Sequence, residues 1–127
     1  MSNSLVLLVA RILMSAIFII AGLQKLGGID GTASYIGSVG LPAPVLLAWA
    51  SALFETLAGI AILAGFRTRE VAWLLAAFCV FTGVVFHFQP ADQMQMVSFM
   101  KNLAIAGGFL ALSVAGPGSL SVDRRGA

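Results

Sequence analysis

Charged residues are scarce in this chain of 127 residues: they make up 9% of it, whereas hydrophobic residues make up 60%. A soluble domain carries about 25% charged residues, because its surface must face water. Seven basic and five acidic side chains cannot cover a globule of this size. The shortage of charge therefore excludes an ordinary soluble domain, and it predicts that lipid surrounds most of the protein.

Cysteine and histidine are also nearly missing, since each occurs once, as Cys79 and His87. A single cysteine excludes an intramolecular disulfide, a cysteine-rich metal site and a CxxCH haem attachment. The apolar neighbours of Cys79 indicate a packed thiol, and His87 has no second ligand at metal-binding spacing. The basic residues are scattered singly, without the patch of a nucleic-acid-binding protein. We therefore predict no metal site and no nucleic-acid partner.

Long apolar runs are what the sequence does have, at about residues 5–26, 45–66, 71–88 and 99–115. Each is long enough to cross a hydrocarbon core about 30 Å thick as an α-helix. The runs lack the two-residue alternation of membrane β-strands, which excludes a barrel. No basic segment precedes the first run, so we expect it to be a retained span rather than a signal peptide. We predict an all-α integral membrane four-helix bundle in a single domain.

The connections between the runs differ in character. Residues 66–70 (FRTRE) form a tight polar turn, which makes the second and third spans an antiparallel hairpin. Residues 32–39 are predicted to form a short interfacial helix in the first loop, anchored by Tyr35. Residues 89–98 are predicted to be a polar loop. Residues 117–127 follow a Gly-Pro-Gly terminator and are predicted to be a tail.

The charges near the span ends predict the orientation of the bundle. An even number of crossings places both termini and the 66–70 turn on one side of the membrane. That side carries Arg67, Arg69, Arg124 and Arg125, and the opposite side carries Lys25 and Lys101. Because the more basic side faces the cytoplasm, we predict cytoplasmic termini and a cytoplasmic tail.

Two charges lie deep within the predicted spans. Glu55 is about halfway along the second run, and Arg11 lies within the first. A charge at the centre of a membrane helix costs about 2.5–3.5 kcal/mol, so each one needs a reason. Taking the midpoint of each run as the midplane places Arg11 about 7 Å to the cytoplasmic side of Glu55. We therefore predict an Arg11–Glu55 ion pair, with either a structural or a functional role.

A second polar layer lies nearer the outer leaflet, about 10–14 Å from the midplane by the same reckoning. Its members are Lys25, His87, Lys101 and Asn102. The alternative is that these side chains only extend towards lipid headgroups from the helix ends. Together with Arg11 and Glu55 they are the candidate ligand-binding residues. No catalytic residue is assigned, although Glu55 is a candidate proton-handling group.

Four stretches follow one another along the chain: ARILMSAIFIIAGLQKL, YIGSVGLPAP, ALFETLAGIAILAGFRTR and FMKNLAIAGGFLAL. In this order and spacing they resemble the DoxX family of small bacterial inner-membrane proteins over nearly the full length. The family pattern places an arginine, a lysine, a glutamate and a Lys-Asn pair at Arg11, Lys25, Glu55 and Lys101-Asn102. The resemblance implies a location in the bacterial inner membrane.

The resemblance also implies a role beside membrane-bound redox enzymes, because the family name comes from a subunit of a thiosulfate:quinone oxidoreductase. We expect a redox accessory with a quinone as the candidate cofactor and an oxidoreductase as the candidate partner protein. The chain has no cofactor motif of its own, so whether it is an enzyme stays open. The alternatives are a non-catalytic interaction or scaffold protein and a transporter of a small solute or protons. Transport by four helices requires a homo-oligomer.

Overall fold

The computed structural model describes residues 2–125, without the side chains of Arg124 and Arg125. This part of the chain is all-helical and contains no strand. Its helices are α1 (Asn3–Leu26), α2 (Ile29–Ser38), α3 (Pro44–Ala64), α4 (Thr68–Thr82), α5 (Gln93–Ala115) and α6 (Val122–Arg125). A π-helical turn, Gly83–His87, continues α4.

The predicted four-helix membrane bundle is confirmed. Four helical segments are each long and apolar enough to cross a membrane: α1, α3, α5, and α4 together with its π-helical turn. The predicted short helix in the first loop is α2, which begins three residues earlier than expected. α5 begins at Gln93 rather than Phe99, because the Asp92 side chain accepts a hydrogen bond from the Gln95 N–H and caps the helix.

Two helix pairs make up the bundle. α1 packs mainly against α3, and α4 packs mainly against α5, while contacts between the two pairs are fewer. α2 lies against the start of α3, where Ala33 and Ile36 bury Ala48. The Phe18 and Phe109 rings meet edge to face at 5.5 Å and join the two pairs in the core.

Glycine allows α1 and α3 to approach closely. A Cβ atom on Gly22 would lie 2.2 Å from the Thr56 hydroxyl and 2.7 Å from its backbone nitrogen. A Cβ atom on Gly59 would lie 2.7 Å from the Ile19 side chain. Small residues at such crossings are the usual means by which membrane helices associate, because lipid supplies no hydrophobic force between them. These contacts fix the offset between α1 and α3.

The end of the bundle that holds both chain termini and the 65–67 turn is called here the termini end, and the opposite end, where α2 lies, is the α2 end. The Ser119 and Ser4 hydroxyls are 2.6 Å apart, and the Asp123 N–H donates to the Gly65 carbonyl at 2.9 Å. Gly65 has φ +75°, and Ser121 packs where a Cβ atom would stand. The predicted tail is thus packed onto the fold as far as α6, whereas its cytoplasmic location stays a prediction.

Side chains from other segments cap the helices at the termini end. Arg11 is fully buried and donates to the carbonyls of Ile62, Leu63 and Leu120, with 2.8 Å between Nη1 and the Leu63 oxygen. Arg69 donates to the carbonyls of Ser113 and Val114 at the end of α5. Helix ends leave carbonyl groups without intrahelical partners, and in lipid no water satisfies them. Both arginines therefore stabilise helix C-termini.

Asp123 caps the start of α4 from a distant part of the chain. Its carboxylate accepts hydrogen bonds from the N–H groups of Arg67 at 2.6 Å and Thr68 at 2.8 Å. Partial burial works against the charged form, but the hydrogen bonds of Thr68 and Arg67 and the nearby Arg11 charge outweigh it. The pKa of Asp123 is therefore held below its ordinary value.

We expect Gly22→Ala to destabilise the protein by about 1–3 kcal/mol, because the added methyl group overlaps the Thr56 backbone. Gly107→Ala is the matched control, since a Cβ atom there meets no heavy atom within 4 Å. The control should be neutral or more stable by up to about 1 kcal/mol, through helix propensity. Denaturant titration in detergent micelles measures both. Equal changes in the two variants would contradict the close approach of α1 and α3.

Asp123→Asn is expected to lower the free energy of unfolding by about 1 kcal/mol near neutral pH, because it weakens the cap. Since the pKa of Asp123 is lowered by folding, the carboxylate stabilises the protein above its ordinary pKa. That contribution is lost as the pH falls through the lowered pKa in the folded protein. The gap between wild type and variant should therefore shrink in acid. Asp30→Asn, an exposed position on α2, should show no such gap at either pH.

Candidate functional site

A cavity of about 780 Å³ lies between the two helix pairs towards the α2 end. Its wall is made of side chains from five helices: α1, α2, α3, α4 with its π-helical turn, and α5. Five of the six predicted ligand-binding residues line it: Lys25, Glu55, His87, Lys101 and Asn102. The sixth, Arg11, is not in the wall. The structure thus gathers the predicted outer polar layer and Glu55 around one space.

Lys25 and Glu55 form an ion pair inside this cavity. The Lys25 Nζ atom lies 2.9 Å from Glu55 Oε2 and 3.2 Å from Oε1. The Glu55 side chain is 7% exposed and that of Lys25 is 32% exposed, so the acid is buried while the lysine reaches the cavity surface. In an apolar region each charge would be unfavourable alone, and their pairing reduces that penalty.

The predicted Arg11–Glu55 ion pair is wrong. Arg11 is bound to backbone carbonyls at the termini end, and the partner of Glu55 is Lys25. Gly22 faces Ala52 and Thr56, which places Glu55 beside the C-terminal part of α1 rather than beside its middle. The prediction failed because it aligned the midpoints of two helices that pack with an offset.

The direction of side chains on a helix explains the partner choice. Side chains on an α-helix lean towards its N-terminus. On α1, Lys25 therefore reaches back into the bundle towards Glu55, while Arg11 reaches towards the termini end and the last carbonyls of α3. The sequence places both residues on one face of α1. The tendency of helical side chains to point towards the N-terminus was the signal that could have assigned Lys25, and not Arg11, to Glu55.

His87 stands at the end of the π-helical turn and is tied to α5. Its Nδ1 atom lies 2.7 Å from Gln95 Oε1. With the amide oxygen as acceptor, Nδ1 donates this hydrogen bond, and in the neutral imidazole tautomer of this kind Nε2 is an acceptor. Gln95 lies in the segment that was predicted to be a loop, so no pattern in the sequence predicted this contact.

Asn102 joins α5 to the point where α4 changes to π-helical geometry. Its Nδ2 atom donates to the Thr82 hydroxyl at 3.1 Å and to the Cys79 carbonyl at 3.2 Å. Gly83 begins the π-helical turn, and a Cβ atom there would lie 3.3 Å from Asn102 Cβ. Single π-helical turns occur frequently at functional sites. Here the turn follows Thr82, which lines the cavity, and ends at His87.

Lys101 is the unpaired charge of the cavity. Within residues 2–125 it makes no hydrogen bond and no ion pair, and it is exposed. The charges of Lys25 and Glu55 cancel each other, so Lys101 leaves the cavity wall with an excess positive charge. An ammonium group has three hydrogen-bond donors to offer. Lys101 is therefore the group most available to a ligand.

Aromatic contacts, which the sequence did not predict, shape the apolar wall. Tyr35 of α2 stacks on Phe86 at 5.2 Å between ring centroids, and Phe54 meets Phe78 at 5.1 Å. All four rings line the cavity. Aromatic residues are frequent in these spans, but only the packing of the helices shows which of them meet.

The wall suits an amphipathic molecule better than a metal ion. In the part of the chain that the structure describes, no three His, Cys, Asp or Glu side chains stand close enough to hold a metal. Most of the wall surface is apolar, and the smaller polar part includes the Lys25–Glu55 pair, His87, Lys101 and Asn102. Small-molecule sites commonly combine apolar walls with a few placed polar groups, in volumes of about 300–1,000 Å³.

Comparisons with known proteins agree with the helical bundle. The family model of DoxX matches residues 6–88. The Escherichia coli K12 protein called Inner membrane protein YphA is 42% identical over 129 residues, covering 98% of this chain and 92% of its own length. Inner membrane protein YqjF of the same organism is 44% identical, covering 92% of this chain and 88% of its own length.

A third relative comes from Bacillus subtilis strain 168 and is called "Putative oxidoreductase CatD". It is 36% identical over 69 residues, which cover 54% of this chain and 50% of that protein. No solved structure matches the chain. The family match over more than half of the chain, and two relatives aligned over nearly all of it, show that the chain belongs to the DoxX family.

Proposed function

We propose that this protein is an accessory subunit of a redox system in the bacterial inner membrane, and that it binds a quinone in the cavity. The observation that carries the proposal is the cavity itself. It joins apolar and aromatic walls to a small group of polar side chains, among them an unpaired lysine. A quinone has the same two parts, a polar ring with acceptor oxygens and a hydrocarbon chain.

The names of the relatives support the two halves of this proposal. Both Escherichia coli proteins are named inner membrane proteins, and the Bacillus subtilis relative carries the name of an oxidoreductase. The four apolar helices support a membrane location directly. The redox role rests on a relative that aligns with about half of the chain, so the cavity is the stronger support.

The residues of the cavity fit a quinone by their chemistry. The Lys101 ammonium can donate to a ring oxygen of the quinone, and His87 Nε2 can accept a hydrogen bond from a hydroxyl group of the reduced quinol while Gln95 holds its other nitrogen. The aromatic pairs offer flat surfaces on which a ring can stack. A bound quinone would supply the capacity to carry electrons and protons.

Glu55 and Lys25 contribute the proton-handling groups of the proposal. Among the residues that the structure describes, Glu55 is the only one that brings a carboxyl group to the cavity wall, and it lies 2.9 Å from Lys25 Nζ. A carboxylate beside an ammonium can accept or release a proton when the charge in the cavity changes.

An oxidoreductase partner is part of the proposal, because the described residues offer no metal cluster that could pass electrons to the cavity. The partner would exchange electrons with the bound quinone, and this chain would position it. The family name and the relative's oxidoreductase name support such a pairing. We propose no catalytic activity for the chain alone.

A binding titration tests the proposal, with a decyl-substituted benzoquinone as the probe and the protein in detergent micelles. Wild type should bind it saturably. Lys101→Met should raise the Kd about tenfold or more, because a hydrogen bond from a charged donor contributes about 1.5–3 kcal/mol. Arg67→Met is the matched control: it removes an exposed cation at the termini end, outside the cavity, and should leave the Kd unchanged. Absence of saturable binding, or equal Kd values for the two variants, contradicts the proposal.

A further inference from the structure

We propose that the ligand enters the cavity sideways from the bilayer, through an opening between α3 and α4, and is therefore a membrane-dissolved amphiphile with a hydrocarbon chain. This inference rests on the proposed function, which left the route of the ligand open. It favours a ligand with a hydrocarbon chain over a small water-soluble anion, which could also bind to a lysine.

Residues that line the cavity and also face outward mark the opening. Four such residues stand on α3 and α4: Ala50, Leu74, Ala77 and Phe81. All of them are apolar, and two are alanines, whose side chains leave room between the helices. An outward-facing surface at this depth meets lipid, because α3 and α4 are long enough to cross the membrane. The rim therefore connects the cavity with hydrocarbon.

The packing of the bundle explains why this gap exists. α3 and α4 are joined by the tight 65–67 turn at the termini end, but each packs mainly against another helix. The Phe54–Phe78 contact bridges the two helices within the cavity wall. In an antiparallel hairpin Ala50 and Phe81 lie further from the turn than these two rings. Leu74 and Ala77 lie nearer to the turn, so the aromatic contact stands along the opening and not at one end of it.

The wall at α2 is less apolar. α2 packs on the start of α3, and its Tyr35 ring stacks on Phe86 of the π-helical turn. Both rings line the cavity, and Tyr35 is exposed and carries a hydroxyl group. The side between α1 and α5 differs in chemistry, because its rim carries the Lys101 ammonium. The rim between α3 and α4 is the apolar one.

The energetics assign separate tasks to the two parts of the ligand. A chain that moves from lipid into an apolar cavity gains little from the hydrophobic effect, since both surroundings are apolar. The chain therefore provides access rather than affinity. The polar head, once inside, meets Lys101, which has no partner among residues 2–125. The expected ligand has one head with hydrogen-bond acceptors and one chain that leads back towards the opening.

Bulky substitutions at the rim test the route by kinetics. The protein is placed in phosphatidylcholine vesicles, and decyl-benzoquinone binding is followed by the saturable quenching of the native Trp49 and Trp73. Ala50→Phe should slow association and dissociation about tenfold while the Kd changes less than about threefold, because the ring obstructs passage without altering the polar end. Ala104→Phe is the control, since Ala104 is exposed at similar depth on α5 and does not line the cavity.

The outcomes separate this inference from the proposed function. If wild type shows no saturable quenching, the proposed function itself fails. If wild type binds and Ala50→Phe has the same rates as Ala104→Phe, the opening between α3 and α4 is contradicted while quinone binding stands. Ala77→Phe is a second rim variant with the same expected result, and it replaces Ala50→Phe if that variant melts at a much lower temperature than wild type.

Discussion

The ion pair between Lys25 and Glu55 is the interaction on which the interior of this bundle depends. An acid in hydrocarbon is unfavourable, and Glu55 is tolerated because an ammonium group lies 2.9 Å away. The pair forms across the α1–α3 contact, which is close because Gly22 lets the Thr56 backbone approach. Because the two charges satisfy each other, Lys101 is left as the cation of the cavity wall that has no partner in the described part of the chain. Pairing, close packing and ligand binding are thus parts of one arrangement.

The two ends of the bundle accommodate polar side chains in different ways. At the termini end, Arg11, Arg69 and Asp123 bind helix-end carbonyl and N–H groups of other segments. This end is closed, and the chain from Gly116 to Asp123 is part of its structure. At the α2 end the helix pairs separate, and their polar side chains surround a cavity instead of capping helices. We interpret the closed end as the part that stabilises the bundle and the end with the cavity as the part that binds the ligand.

The sequence predicted the four spans, the short first-loop helix and the set of polar residues that share one cavity, because apolar length and buried charge are local signals. It did not predict which charges pair. Position along a helix gives a depth, but the offset between α1 and α3 is set by the contact of Gly22 with Thr56. Likewise, Asp123 caps a helix that begins 55 residues earlier in the chain, and no local pattern reports such a contact. The π-helical turn and the aromatic pairs also arise only from packing.

The central claim is that Glu55 is paired with Lys25 and not with Arg11, and a double-mutant cycle tests it most directly. Unfolding free energies in detergent micelles are measured for Lys25→Met, Glu55→Gln and the double variant. The account predicts a coupling energy above about 1 kcal/mol, because each single change leaves a buried group without its partner. The Arg11→Met and Glu55→Gln cycle is the control and should be additive within about 0.5 kcal/mol. Additivity between Lys25 and Glu55, or coupling confined to Arg11 and Glu55, would contradict the account.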